Sequence, residues 1–203
     1  YNGITLDNSH GVLIENNTVT NFSGDDPGFV NPAISTPDAH NNTINNNNIF
    51  VVKGKGILLV VDSYTCGRNT VSNNIINHSH GIAIDVDQCD NSIISSNTII
   101  DSETGISVGG SSNITITENN IFNSTTFSIA GITLSNSSIN HNIFNLTREQ
   151  SVIYLSDSDN NTIYNNTIHD SAYEGIEIVD DSTGNNITLN TITNSSSDAI
   201  GLI

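Results

Sequence analysis

One asparagine recurs at the same place in a short motif eight times along the chain, and this repeat constrains the fold more than any other feature. The motif reads aliphatic, two residues, Asn, one residue, aliphatic, as in "IENNTV" (14–19) and "ITENNI" (116–121). Its asparagines are Asn17, Asn47, Asn74, Asn97, Asn119, Asn142, Asn166 and Asn190. The motif recurs about every 23 residues, and regular repeats of this length indicate a solenoid or an array of stacked units.

A second pattern alternates with the first: a glycine followed by alternating aliphatic residues, as in "GITL" at 3, "GILL" at 56 and "GISV" at 105. A variant start without the glycine is "AIST" at 33. Alternation with a period of two predicts strands. A repeat of about 23 residues is too short to fold alone, so the repeats must stack to bury one continuous core. We therefore predict an all-β fold: a single-stranded right-handed parallel β-helix of about eight coils, each with three short strands. The hand follows from the rule for parallel crossovers.

The repeated asparagine is expected at a buried corner of each coil, because inward aliphatic residues flank it three positions before and two positions after. A buried amide must be hydrogen-bonded. Stacked asparagines can bond to turn backbone and to the asparagine in the coils above and below. Asparagine also tolerates the left-handed conformation that tight corners require. The motif thus predicts a structural Asn ladder along the whole rod.

The domain organisation is expected to be one β-helix over residues 1–203, with an inserted loop at about 23–40. The insertion, "SGDDPGFVNPAISTPDAH", contains all three prolines. Strands are expected at both ends of the sequence, and open strand edges favour pairing with further strands. The chain is therefore expected to be a segment of a longer solenoid, stacked on flanking domains, or a subunit that associates with itself end to end.

The charge and the hydropathy of the sequence each exclude one class of interaction. The formal net charge is −17 and the four basic residues are Lys53, Lys55, Arg68 and Arg148. Binding to nucleic acid requires clustered Lys and Arg, so no nucleic-acid partner is expected. No apolar run approaches the roughly 20 residues of a membrane span, so no membrane span is expected either.

The two cysteines occupy equivalent positions in neighbouring repeats, since Cys66 and Cys89 each precede a ladder asparagine by eight residues. Stacking places their Cα atoms near 5 Å apart, which fits a disulfide. The alternative is a pair of stacked free thiols. A disulfide indicates an oxidising compartment, so we expect a secreted or cell-surface protein.

Glycosylation sequons are frequent in this Asn-, Ser- and Thr-rich chain, and many arise from composition alone. Several fall at expected turns, where N-linked sugars are accommodated. The candidates are Asn21, Asn41, Asn77, Asn113, Asn123, Asn136, Asn160 and Asn194. The outward residues of the strand before the ladder, such as Thr43 and Thr115, form a hydroxyl-rich face that could also bind glycans.

Ionisable residues concentrate in the turn after the third strand of each coil. His78 and Asp101 both lie four residues after a ladder asparagine, while Lys53, His80 and Glu103 lie six after one. The long insertion leaves the same corner and carries Asp25 and Asp26. Long loops on rigid scaffolds often carry function, and such a cluster could perform acid–base chemistry or bind a metal. The alternative is that these are polar turn residues.

Calcium is the one cofactor that the acidic composition suggests. Asp85, Asp87 and Asp90 lie close together around Cys89, and carboxylate oxygens are the ligands calcium prefers. No other cofactor is expected.

The "GIxL…NxIxxNxI" pattern covers nearly the whole chain and resembles the parallel β-helix repeats of the pectin-lyase-like superfamily. Within that superfamily it is similar to the carbohydrate-binding and sugar-hydrolase repeat domains labelled NosD-like periplasmic copper-binding proteins. Copper binding is not expected here, because methionine is absent, the cysteines are expected to pair and the histidines are scattered. "GDD" (24–26) and "SHG" (79–81) are similar to polygalacturonase motifs, but they lie more than two coils apart.

Taken together, these patterns predict a non-catalytic extracellular β-solenoid, such as a sheath, surface-layer or filament module, with glycosylation as an option. The alternative function is a polysaccharide-binding module. A second alternative is a polysaccharide lyase or glycoside hydrolase acting at the corner near His80. A parallel β-helix specifies an architecture and not an activity, so the site must decide between these functions.

Overall fold

The computed structural model describes residues 3–20, 32–50 and 53–203. Asn21, Asp25 and Asp26 lie outside the described residues. Within those ranges the chain forms 25 parallel-paired strands and no helix, which confirms the predicted all-β solenoid. No helix there has the length and apolar character of a membrane span.

Each coil contributes one strand to each of three faces. The first-strand face contains β1 (Ile4–Thr5), β4 (Ile34–Pro37), β7 (Ile57–Val60), the second halves of β10 (Ile75–Asp87) and β13 (Thr98–Gly109), β16 (Phe127–Ile132), β19 (Ile153–Ser156), β22 (Ile176–Val179) and β25 (Ile200–Leu202). The second-strand face contains β2 (Leu13–Glu15), β5 (Thr43–Asn45), β9 (Thr70–Ser72), β12 (Ile93–Ser95), β14 (Thr115–Thr117), β17 (Ser138–Asn140), β20 (Thr162–Tyr164) and β23 (Asn186–Thr188). The third-strand face contains β3 (Thr18–Thr20), β6 (Asn48–Phe50), the first halves of β10 and β13, β15 (Asn120–Ser124), β18 (Ile143–Thr147), β21 (Thr167–Ser171) and β24 (Thr191–Ser195).

The coils stack in register, so equivalent residues form columns along the rod. On the second-strand face Ile44 pairs with Val71, Val71 with Ile94, and Ile94 with Ile116. These side chains point inward and are buried, as alternation along a strand requires. The second-strand sheet has eight strands, one for each predicted coil. The core is therefore a continuous column of aliphatic side chains along the inside of the rod, shielded from solvent by the three strand faces.

The insertion is shorter than predicted at its C-terminal end. Ile34–Pro37 is a strand of the first-strand face and pairs with Ile4–Thr5 on one side and with Ile57–Val60 on the other. The segment that starts with "AIST" at 33 forms a strand despite the turn-forming prolines around it, because Ile34 and Thr36 are fully buried between the neighbouring coils. The predicted loop at 23–40 is thus wrong for residues 34–37, which belong to the solenoid.

The Asn ladder extends along the rod as predicted. Asn97 is fully buried and accepts hydrogen bonds from the backbone N–H and the Nδ2 of Asn74, at 2.9 and 3.0 Å. Its own Nδ2 donates to Asn119 Oδ1 and to the carbonyl of Val71. The left-handed conformation falls on the residue directly before the ladder position, such as Asn73 with φ 55°, and not on the ladder asparagine itself. The prediction that the ladder asparagine itself adopts the left-handed conformation is therefore wrong. Asparagine is required at this corner for the hydrogen bonds of its amide and not for its backbone conformation.

A second polar ladder, which was not predicted from the sequence, lies five residues before the first. Asn69 Oδ1 accepts the backbone N–H of Asn42 at 3.0 Å, and Asn161 Oδ1 accepts that of Ser137 at 3.0 Å. Serine substitutes in some coils, as when Ser92 Oγ accepts the N–H of Asn69. The mixture of Asn and Ser hides this column from a search for one invariant residue.

The cysteines form the predicted disulfide between neighbouring coils. Cys66 and Cys89 are in register on β8 (Cys66–Gly67) and β11 (Cys89–Asp90), with Cα atoms 4.5 Å apart. The next coil places Ser111 in the same column, where its Oγ accepts the backbone N–H of Cys89 at 3.0 Å. The disulfide therefore replaces a hydrogen bond of this column by a covalent link.

Candidate functional site

The corner between the third strand of one coil and the first strand of the next forms a groove along the rod. We call it the lateral groove; its walls are residues 78–80, 101–103, 125–126 and 148–149, together with Asn123. These segments come from four successive coils, so the groove is about 14 Å long at the usual strand spacing. Its volume is about 530 Å³, within the range of small-ligand sites.

The backbone at this corner explains why polar side chains project into the groove. The residue four after the ladder asparagine has a positive φ in each of these coils: 57° at His78, 55° at Asp101 and 62° at Asn123. The next residue is a buried serine or threonine, such as Ser79, whose Oγ donates to the carbonyl of Gly54. Because of the left-handed turn and the inward hydroxyl, the side chains four and six residues after the ladder asparagine point outward into the groove.

The buried hydroxyl beneath the groove is not satisfied in every coil. Ser102 lines the groove and is 2% exposed, yet its Oγ has no hydrogen-bond partner. Among the described residues Ser195, in the same column, is the other buried hydroxyl without one. A buried unpaired hydroxyl is unfavourable by about 1–3 kcal/mol.

A chain of polar contacts runs along one wall of the groove. His78 Nε2 lies 3.4 Å from Asp101 Oδ2. The Nδ2 of Asn123 donates to the other carboxylate oxygen of Asp101. The Oδ1 of Asn123 accepts a hydrogen bond from Arg148 Nε at 2.7 Å. Four coils are thus linked by side chains, with a histidine at one end and a guanidinium at the other.

His78 has three neighbours at one end of the groove. Its Nδ1 faces the Oδ1 of Asn77, its Nε2 faces the carboxylate of Asp101, and Phe50 stacks on the ring with centroids 5.3 Å apart. These contacts fix the orientation of the imidazole ring at that end of the groove.

The structure brings together some of the predicted corner residues and not others. His78, His80, Asp101 and Glu103 all line the groove. Lys53 is exposed and does not line it, although it shares the column offset of His80. Asp25 and Asp26 lie outside the described residues, so their relation to the groove stays a prediction.

The groove has seven further residues that were not among the candidate catalytic residues: Ser79, Ser102, Asn123, Thr125, Thr126, Arg148 and Glu149. The signal was available, because Asn123 lies four and Arg148 lies six residues after a ladder asparagine. Only His78 and Asp101 were predicted at the first of these offsets, and only Lys53, His80 and Glu103 at the second. Neither column was extended to the coils that supply the opposite end of the groove.

The predicted calcium ligands make other contacts. Asp85 forms an ion pair with Lys55, and Asp90 Oδ1 accepts the backbone N–H of Ser112 at 2.7 Å. Asp87 is half-buried at the end of β10. The described residues include no group of three or more His, Cys, Asp or Glu side chains able to hold a metal ion. Calcium binding here stays a prediction.

The sequons fall on different parts of the coil. Asn41, Asn113, Asn136 and Asn160 are exposed and share the corner six residues before the ladder. Asn123 and Asn194 share the groove corner, four residues after the ladder, and Asn77 ends the third strand beside it.

Comparison with known proteins agrees with this architecture. Residues 60–203 match the family model described as a right-handed β-helix region. The chain belongs to the right-handed β-helix family. The match also supports the right hand that the crossover rule predicts. None of the curated protein sequences matches the chain.

Solved structures similar to this β-helix protein include XylC in complex with xylose, at 12% identity and a TM-score of 0.59 over 79% of this chain and 36% of that one. PfbA, a surface adhesin of Streptococcus pneumoniae, is 14% identical with a TM-score of 0.45 over 82% of this chain and 64% of that one. The A-module of the mannuronan C-5 epimerase AlgE6 from Azotobacter vinelandii is 11% identical with a TM-score of 0.41 over 87% and 74%. The chain spans about a third of the length of XylC and less than two thirds of PfbA. Likeness at these identities concerns the fold alone.

Proposed function

We propose that this β-helix protein is a rigid, non-catalytic structural module of an extracellular surface, sheath or filament. The observation that carries the proposal is the unbroken Asn ladder, in which side-chain bonds connect each ladder asparagine from Asn17 to Asn190 with the next. Such a column ties every coil to the next independently of the strand pairing. It stiffens the rod along its axis, which is the property a structural module requires.

The extracellular part of the proposal rests on the disulfide and the charge. The Cys66–Cys89 bond joins two coils that are already hydrogen-bonded, and such bonds persist in oxidising compartments. The net charge of −17 keeps the rod soluble and limits side-to-side contact through repulsion. Both features suit a protein exposed outside the cell.

End-to-end stacking is the partner interaction we propose. Each coil pairs in parallel with the next through its strand edges, so a further coil can add by the same hydrogen bonds. A second copy of the chain that adds its own coil in this way would give an open filament. A flanking domain of a longer solenoid would add in the same way.

Sedimentation velocity and electron microscopy of the purified chain test this proposal. Rods of varying length, one coil-stack wide, are expected at high concentration, with Leu202→Glu shifting the distribution toward the monomer. Thr117→Glu, on the side of the rod, is the matched control and should leave the distribution unchanged. A strictly monomeric chain at all concentrations would remove self-association and leave addition to a flanking domain as the partner interaction.

The second candidate function is glycan binding in the lateral groove, and the contact chain from His78 to Arg148 favours it. The groove offers donors at both ends and carboxylates between them, which suits hydroxyl-rich ligands longer than one sugar. The enzymatic version, a polysaccharide lyase or glycoside hydrolase, would use His80, Asp101 and Glu103 for proton transfer.

A glycan array followed by titration calorimetry tests this second function. Arg148→Ala should weaken binding of any glycan found, by roughly tenfold if one charge-assisted hydrogen bond is lost. Lys53→Ala removes the same charge outside the groove and should leave the affinity unchanged. Equal weakening by both variants would show that net charge, and not the groove, governs binding.

A further inference from the structure

Four sequon asparagines share one corner of the coil, six residues before the ladder, and three of them occupy consecutive coils. Asn113, Asn136 and Asn160 are exposed, with φ of 56°, 50° and 55°. The left-handed turn puts all three in the same conformation at the edge of the rod. Asn41 has the same conformation further along this corner. We call the three consecutive residues the sequon row.

The third residue of each sequon is also placed alike. Thr115, Ser138 and Thr162 begin β14, β17 and β20 and pair with one another in register. Their side chains lie on the outward face of the sheet, and each is half-buried. The hydroxyl that a sequon requires therefore stands in the same relation to its asparagine in all three coils.

The sequons of the groove corner differ in the state of the amide nitrogen. Asn123 Nδ2 donates to the carboxylate of Asp101, and Asn194 Nδ2 donates to Asp170 Oδ1 at 3.1 Å. In the sequon row, Asn113 Nδ2 has a long contact of 3.5 Å with Ser112 Oγ. A sugar on Asn123 would displace bonds that tie neighbouring coils, whereas a sugar on the row would displace little.

We propose that the sequon row is a site of N-linked glycosylation and that the groove-corner sequons are not. In this reaction the Nδ2 of asparagine attacks C1 of an oligosaccharide carried on a lipid diphosphate. The N–C1 bond forms, the bond from C1 to the diphosphate oxygen breaks, the lipid diphosphate leaves and the amide loses one proton. The inference rests on the proposed extracellular location, because the donor is found where secreted chains are made.

The arrangement has a structural consequence. Glycans on consecutive coils would follow one another at about 4.8 Å per coil and form a stripe along a single corner. The lateral groove lies at a different corner and would stay open. The stripe would also hinder side-to-side contact between rods while leaving end-to-end stacking free.

Glycopeptide mass spectrometry on the full chain, secreted from a host that performs N-glycosylation, tests the inference. Glycans are expected on Asn113, Asn136 and Asn160, and none on Asn123 or Asn194. Thr115→Val, Ser138→Ala and Thr162→Val should each remove one glycan mass while keeping the asparagine. Thr125→Val, in the sequon of Asn123, is the matched control and should remove no glycan mass.

A secreted, folded chain without sugars on the sequon row would overturn the inference, and so would sugars on Asn123 or Asn194 at equal occupancy. Neither result would touch the structural proposal, whose test uses rod formation. The chain made in a host without N-glycosylation should still form rods. Loss of rods there, with a fully glycosylated row in the first host, would instead count against the structural proposal alone.

Discussion

Asn47 donates to Asn74 twice: its backbone N–H and its side-chain Nδ2 both reach Asn74 Oδ1, at 2.9 and 3.0 Å. The same pair of bonds recurs between Asn74 and Asn97 and onward along the rod. One carbonyl oxygen per coil thus satisfies a backbone group and a side chain of the coil before it. Buried polar networks of this kind stabilise a fold only when every member is paired.

Removal of one ladder asparagine should therefore destabilise the protein strongly. Asn97→Ala leaves the backbone N–H of Asn74 and the carbonyl of Val71 without their partners in the core. We expect a loss of about 3 kcal/mol or more in the free energy of unfolding, measured by urea denaturation. Asn48→Ala, at an exposed position beside the ladder, is the control and should change stability by less than about 0.5 kcal/mol. Equal effects of both variants would contradict the ladder's role.

The disulfide should contribute stability by linking two coils in the unfolded chain. Cys66 and Cys89 are 23 residues apart, and closing a loop of that length is worth about 3 kcal/mol. The double variant Cys66→Ser/Cys89→Ser keeps the side chain that this column uses elsewhere, so it should fold with a lower melting temperature. Reductant should lower the melting temperature of the wild type and leave that of the double variant unchanged. Two free thiols per chain, titrated with a thiol reagent in the unfolded and unreduced wild type, would contradict the disulfide.

Acid should loosen the turn that follows β7. Burial raises the pKa of Asp38, but the N–H groups of Tyr64, Asp62 and Ser63 outweigh it and hold that pKa below its ordinary value of 3.8. Because the pKa is lowered in the folded state, the stabilisation is complete above that ordinary value and is lost as the pH falls through the folded-state pKa. Asp38→Asn should lower the melting temperature at pH 7 and reduce its drop below about pH 4. Asp157→Asn, at an exposed turn residue, is the control; an identical pH profile for both variants would refute the assignment.

Close packing between coils should make one glycine of β13 irreplaceable. A Cβ on Gly105 would lie 2.6 Å from the carbonyl oxygen of Ser128 and 2.8 Å from Ile121 Cγ2. Gly105→Ala should lower stability by about 1–3 kcal/mol. Gly109→Ala, on the same strand, meets nothing nearer than Asp87 Oδ1 at 3.5 Å and should be tolerated. Thermal melts of the two variants give the comparison.

The periodic part of the structure could be predicted from the sequence, because the same motif recurs once in each coil. The ladder asparagines, the inward columns of aliphatic residues and the cysteine pair all recur at fixed offsets, so stacking alone places them. Ile34–Pro37 was predicted only in part, since its start matched the repeat while its prolines and the long insertion suggested a loop. The segment forms a strand because Ile34 and Thr36 are buried. That burial depends on the neighbouring coils, so the sequence of the segment alone could not show it.

The lateral groove was predicted less completely, for a physical reason. A site on a solenoid is built from one or two residues of each of several coils, and no short segment contains it. His78 and Asp101 shared an offset and were placed together. Arg148 lies two coils further along and reaches the same chain of contacts only through Asn123. Lys53 lies at the same offset from its ladder asparagine as His80, but it lies outside the groove. An equal offset therefore places two residues in the same column of the rod without bringing their side chains into contact.

A purely structural role for the β-helix requires that the lateral groove perform no catalysis. The most direct test is to incubate the purified chain with a panel of acidic and neutral polysaccharides and to measure new reducing ends and unsaturated products. The structural account predicts no turnover above background for the wild type, His80→Ala or Asp101→Ala. Product formation by the wild type that is lost in His80→Ala and Asp101→Ala would contradict it and identify the groove as an active site.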